Sequence, residues 1–104
     1  MTKVTVKPGI CGFHAVITAE KDKNKKVRIL IDTECEMVQK MLEDIQALDL
    51  KTAFTGHLNN PVCRSAARHL KHVACPVPSA ILKALEVELG ICLPKDVSIT
   101  FIKE

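Results

Sequence analysis

Pro76 and Pro78 restrict this chain more than any other pair of residues. In the stretch His72-Val73-Ala74-Cys75-Pro76-Val77-Pro78-Ser79, each proline fixes its own φ and lacks a backbone N–H, so no helix runs through; proline is tolerated only in the first turn of a new helix. The stretch therefore predicts a helix that stops, a rigid turn that exposes Cys75, and a second helix that begins beside it. The unpaired N–H groups of a helix start favour a thiolate over a thiol. That makes Cys75 the first candidate for chemistry.

The residues before this turn divide by period. Val4 and Val6 alternate with polar neighbours from Lys3 to Lys7, Phe13, Ala15, Ile17 and Ala19 do the same after the turn Pro8-Gly9-Ile10-Cys11-Gly12, and Val27, Ile29 and Ile31 follow a charged turn and end at Asp32. A period of two is that of strands with one buried face. At Thr33 the period changes. Thr33 and Glu36 have the spacing of a capping box, and Met37, Val38, Met41, Leu42, Ile45 and Leu48 recur at steps of three and four, predicting a first helix. Leu50 to Thr55 is ambiguous and allows a short extended piece. Asn60 as N-cap and Pro61 at the first position predict a second helix, with Cys63, Ala66, Ala67, Leu70 and Val73 or Ala74 on its buried stripe. Ile81, Ala84, Leu85 and Leu89 line the third, which Gly90 stops. Val97, Ile99 and Phe101 alternate once more and predict a last strand.

These elements predict one α+β domain over residues 1–104, a two-layer sandwich in which three helices cover one face of a mostly antiparallel four-stranded sheet, in the order βββαααβ. A hydrophobic content of 47% in 104 residues supports a core of that size. The longest apolar stretch, Val77 to Leu93, is interrupted by Lys83, Glu86 and Glu88 and falls short of the roughly 20 residues a membrane span needs. The N-terminus alternates like a strand and lacks the apolar block of a signal peptide. A cytoplasmic protein is expected.

A net charge of +3, three Phe and no Trp or Tyr argue against nucleic acid as a partner. The charge is nonetheless segregated. Lys51, Arg64, Arg68, Lys71 and Lys83 occupy a stretch without Asp or Glu, directly after Glu34, Glu36, Glu43, Asp44 and Asp49. The two stretches are expected to pair as neighbouring solvated faces; a protein partner or a second copy of the chain is the alternative use of such faces.

Five cysteines in a chain without a secretion signal point to metal binding, redox chemistry or burial before a disulfide framework. The predicted topology limits which of them meet. Strand one runs up to Cys11, strand two runs back from Phe13, and strand three runs up again to Asp32, so residue 32 lies near residue 13. Cys11 and Cys35 then share one end of the sheet, with Cys35 at the second position of the first helix. Cys75 and Cys92, at opposite ends of a helix that rises 1.5 Å per residue, are roughly 20 Å or more apart. A shared site is therefore Cys11 and Cys35 with Cys75, or with Cys63, Cys92 or both. Cys75 is preferred because it stands at a helix start, whereas Cys63 and Cys92 lie among apolar residues and are expected to be buried.

Three such thiols suit an iron–sulfur cluster, or a tetrahedral zinc site with His72 or His14 as fourth ligand. Thiol redox chemistry, with Cys75 as nucleophile and Cys11 or Cys35 resolving it, is a second reading; a structural or interaction module whose cysteines only pack is a third. A Cys–His pair of Cys75 with His57 or His14 lacks any local sign of an oxyanion hole, and there is no phosphate loop, dinucleotide fingerprint or nucleophile elbow. No catalytic residue is assigned.

The segments Gly9-Ile10-Cys11-Gly12-Phe13, Glu34-Cys35 and His72-Val73-Ala74-Cys75-Pro76-Val77-Pro78, with Lys83-Ala84-Leu85-Glu86 and Leu93-Pro94-Lys95-Asp96-Val97, resemble a family of small uncharacterised proteins of anaerobic bacteria and archaea. The resemblance covers nearly the whole chain and implies anaerobic, metal-related biology. It transfers no residue roles. Its three motif cysteines are the two that topology brings together and the third that is preferred beside them.

Overall fold

The structure is a computed structural model and describes residues 1–103. Its elements are β1 (Thr2–Val6), β2 (Ala15–Lys21), β3 (Val27–Thr33), α1 (Glu36–Asp44), β4 (Ala47–Leu48), α2 (Leu50–Ala53), α3 (Pro61–His69) and α4 (Val77–Glu88). The four strands form one antiparallel sheet in the order β1-β2-β3-β4. The α+β reading holds, with the order βββαβααα in place of βββαααβ and a fourth, one-turn helix, α2.

The first three strands form where the alternation places them. Ala15, Ile17 and Ala19 on β2 and Val27 and Ile29 on β3 point inward and are buried, while Lys3, Thr5, Arg28 and Leu30 face outward. The turn between β2 and β3 is held by Asp22, whose carboxylate accepts from the N–H groups of Asn24 and Lys26 at 2.8 and 3.0 Å; Lys25 takes the left-handed backbone this turn requires, at φ 63°.

Ile81, Ala84 and Leu85 of α4 and Val38 and Met41 of α1 close over the inward face, with Ile45 just beyond α1. The helix α4 ends in a Schellman arrangement: Gly90, at φ 79°, donates to the Val87 carbonyl and Ile91 to the Glu86 carbonyl, both near 3 Å. The direction of α4 is set by Glu88, whose carboxylate accepts from the Thr2 hydroxyl at 2.7 Å and the Lys21 N–H at 2.9 Å. Its C-terminal end therefore lies at the Thr2–Lys21 end of the sheet. Twelve residues at 1.5 Å carry its start about 18 Å away, to the row in which Val6, Ala15 and Thr33 pair.

At the start of α3, Asn60 is buried and fully used: its side-chain oxygen accepts from the Val62 N–H, and its amide donates to the carbonyls of Thr52 and Thr55. The acidic and basic stretches do meet, through Asp44. Its carboxylate takes bonds from Ser65 at 2.8 Å, His69 at 2.9 Å and Arg68 at 3.1 Å.

Several expectations are corrected. The Thr33 capping box does not form, because Thr33 remains in the sheet opposite Ala15; its hydroxyl instead donates to the His14 carbonyl and accepts from the Cys35 N–H. The capping box sits at α2, between Asp49 and Thr52. The second helix stops at His69, leaving Val73 and Ala74 exposed. The expected last strand is absent among the described residues: residues 91–103 have no regular structure and are exposed, and the fourth place in the sheet goes to Ala47–Leu48, paired with Val27 and Arg28. Alternation is a local property, whereas a strand needs a ladder partner.

Two outcomes follow. Ile81→Ala removes a fully buried side chain between helix and sheet and should cost about 2–5 kcal/mol in urea unfolding. The hydrogen bond from Ser65, then the Arg68 guanidinium, hold the Asp44 carboxyl below the usual carboxylate range against an opposing burial effect, with His69 adding a lesser share. Because the folded pKa is the lower one, this stabilisation is complete above the unfolded value and is lost as pH falls through the interval between them. Between about pH 5 and pH 3 the urea midpoint of the native chain should fall more steeply than that of Asp44→Asn.

Candidate functional site

The end of the sheet opposite Glu88 collects three chain segments that are distant in sequence. The β1–β2 connection, residues 7–14, carries Cys11 above the Val6–Ala15 pair. Thr33, opposite Ala15, leads directly to Cys35. The start of α4 brings Cys75 to the same end. Asp32 pairs with Val16, three residues from the expected partner at position 13, and the placement of Cys11 and Cys35 is unchanged by that shift.

Each cysteine is presented differently. Cys11 is exposed on a loop with left-handed glycines at Gly9 and Gly12, φ 102° and 72°; no other part of the chain lies within 4 Å of where a side chain would start at either. The loop closes on itself through the Gly12 N–H and Gly9 carbonyl at 3.1 Å. Cys35 is half-buried and packs on the core at the N-cap of α1, one step outside the helix rather than at its second position, since Thr33 is held by the sheet. Cys75 is also half-buried against the core, one residue before the α4 cap Pro76, and its N–H is bonded to the His72 carbonyl at 3.2 Å.

Burial reverses the expectation of an exposed, acidic Cys75. Loss of solvent raises its thiol pKa above the usual range; a hydrogen bond from the Val77 N–H opposes this, and the thiols of Cys35 and Cys11 raise it further. The helix start does supply the predicted N–H donor, but desolvation outweighs it. The Cys75 thiol thus lies within electrostatic reach of both Cys35 and Cys11. Among the described residues, no group of three His, Cys, Asp or Glu is already drawn together tightly enough to hold a metal ion.

His72 and His14 are both exposed beside this end of the sheet. His14 lines a shallow depression of about 350 Å³ with Gly12, Phe13, Val16, Asp32, Thr33 and Glu34, flanked in sequence by Cys11 and Cys35 but without either thiol in its wall. His69 is taken by Asp44. Cys63 is half-buried on α3, and Cys92 is exposed beyond the far end of α4, where apolar neighbours had suggested burial; Ile91 and Leu93 are themselves exposed. All five cysteines are free. No helix among the described residues is long and apolar enough to cross a membrane.

Glu88 carries no sequence motif, yet it fixes the helix that delivers Cys75. Burial works against its ionisation, but the Lys21 N–H and the Thr2 hydroxyl, with the terminal ammonium of Met1 at 3.4 Å, hold its pKa below the ordinary glutamate value. The available signal is an acid between Val87 and Leu89, on the apolar side of an otherwise well-formed stripe.

Cys75 should be alkylated by iodoacetamide more slowly than Cys92 near pH 8, read residue by residue by mass spectrometry. Equal rates would show that burial does not protect it.

A family of unknown function, DUF6951, matches residues 2–101, and the chain belongs to it. No curated protein and no solved structure matches.

Proposed function

We propose that this member of a family of unknown function binds a soft metal ion or an iron–sulfur cluster through Cys11, Cys35 and Cys75. The observation that carries the reading is the convergence of three thiols from three separate segments on one end of the sheet, fixed by the strand register and by the direction of α4. Thiol donors select zinc or iron–sulfur clusters over hard cations. Cys35 and Cys75 stand on packed elements, while Cys11 stands on a loop with left-handed glycines and open space around them. Binding draws that loop in, and it relieves the repulsion that ionised thiols exert on one another as their protons leave. His72 or His14 supplies a fourth ligand, or the fourth position stays open for an acceptor. Free thiols suit a reducing compartment.

The test is purification without oxygen, reconstitution with zinc or with ferrous iron and sulfide, and elemental analysis beside an absorption spectrum. Stoichiometric metal is expected for the native chain and for Cys92→Ser, with at least a tenfold loss of affinity in Cys11→Ser, Cys35→Ser and Cys75→Ser at unchanged circular dichroism. Substoichiometric metal in the native chain, or retention in all three variants, overturns the reading.

A further inference from the structure

The C-terminal stretch is written as a strand but is not used as one. Val97, Ile99 and Phe101 alternate with Ser98 and Thr100, the pattern of a strand with one apolar face. They are nevertheless 60%, 82% and 97% exposed, and Ile102 is 85% exposed. Four large apolar side chains in six residues give up burial worth having in any folded chain.

The same molecule carries an edge with the complementary need. In the order β1-β2-β3-β4, β1 pairs only with β2 among the described residues, so one side of its backbone has no ladder partner there. β1 is five residues long, about 17 Å, against about 20 Å for residues 97–102. On the opposite side β4 pairs only with Val27 and Arg28 of β3, and beyond it the Ile29 N–H is taken by the Gln46 carbonyl and the Thr33 carbonyl by the Gln39 amide, so the open stretch there is shorter than β1. On the inward side of β1, Val4 is only half-buried although it packs against the core, as do Leu82 and Leu89 of α4. A further strand beyond β1, with Val97, Ile99 and Phe101 facing inward, extends the core row that begins with Val4 and Val6. Lys3 lies within the edge strand and Lys7 just after it, and charges of this kind discourage unrelated strands; Asp96, immediately before the stretch, offers one of them an opposite charge.

We propose that residues 97–102 pair with the β1 edge of a second copy of this chain, the two copies exchanging C-terminal strands about a two-fold axis. The Glu88 clamp already holds the end of α4 beside Thr2, so each chain has its own edge within reach. In the single chain the edge is open and the tail lies unpaired all the same. Reciprocal exchange satisfies both with one repeated contact, which is how two-fold interfaces are built. Backbone bonds supply the affinity, and the alternate apolar side chains supply the register.

The experiment is size-exclusion chromatography with light scattering on the full chain, in reductant and chelator, so that neither a disulfide through Cys92 nor a bridging metal contributes. The native chain should run at twice the chain mass, with slowed amide exchange over residues 97–102 and over β1. The double variant Ile99→Asp/Phe101→Asp should run at half that mass with unchanged circular dichroism, since both side chains are exposed in the single chain. A native chain that is monomeric, whether its tail exchanges freely or is protected on its own sheet, overturns the proposal. So does a dimer that survives the double substitution, or a native assembly larger than two.

Discussion

The contact on which the rest depends is the packing of α4 across β1 and β2. Two alanines, Ala15 and Ala19, flank Ile17 on the inward face of β2, and all three are essentially without solvent contact. Small residues at these positions leave room for Ile81, Ala84 and Leu85 to approach the sheet closely. The sheet by itself has only one covered face, and α4 by itself has only a stripe. Their mutual burial gives each a reason to hold its shape, and α1, packed against β3 and α3, completes the layer.

Glu88 adds direction to that packing. An apolar stripe fits a sheet in more than one orientation, because hydrophobic contact has no polarity of its own. A carboxylate that accepts from both Thr2 and Lys21 admits only one. The orientation chosen places the polar anchor at one end of the sheet and the three thiols at the other. Asp44 has a comparable part between α1 and α3, where it gathers Ser65, Arg68 and His69 around one carboxylate.

Much of this was legible in the residues. The three strands, the Asn60–Pro61 helix start and the Gly90 stop all follow from short-range rules that the final structure keeps. The co-location of Cys11 and Cys35 required only strand direction and turn length. What misled were features whose meaning depends on distant partners. Thr33 had the spacing of a cap, but the sheet had a prior claim on its backbone. Val97, Ile99 and Phe101 had the period of a strand but no ladder in the single chain. Cys75 had the N–H donor of a helix start, yet its surroundings removed the water that a thiolate needs. Nothing local marks Glu88, whose partners lie 86 and 67 residues away.

Those separations bear on how the chain acquires its structure during synthesis. The β1–β2–β3 meander is local and is complete once Thr33 has emerged, and α1 follows at once to pack on β3, but the inward face of β1 and β2 stays uncovered until α4 follows, more than 40 residues later. Contacts of this span close late because the intervening chain must first be ordered. At translation rates of about 5–20 residues per second, the bare face of Ile17 and its β2 neighbours Ala15 and Ala19 is open to other molecules for seconds. The first elements made are therefore the ones that wait longest for cover.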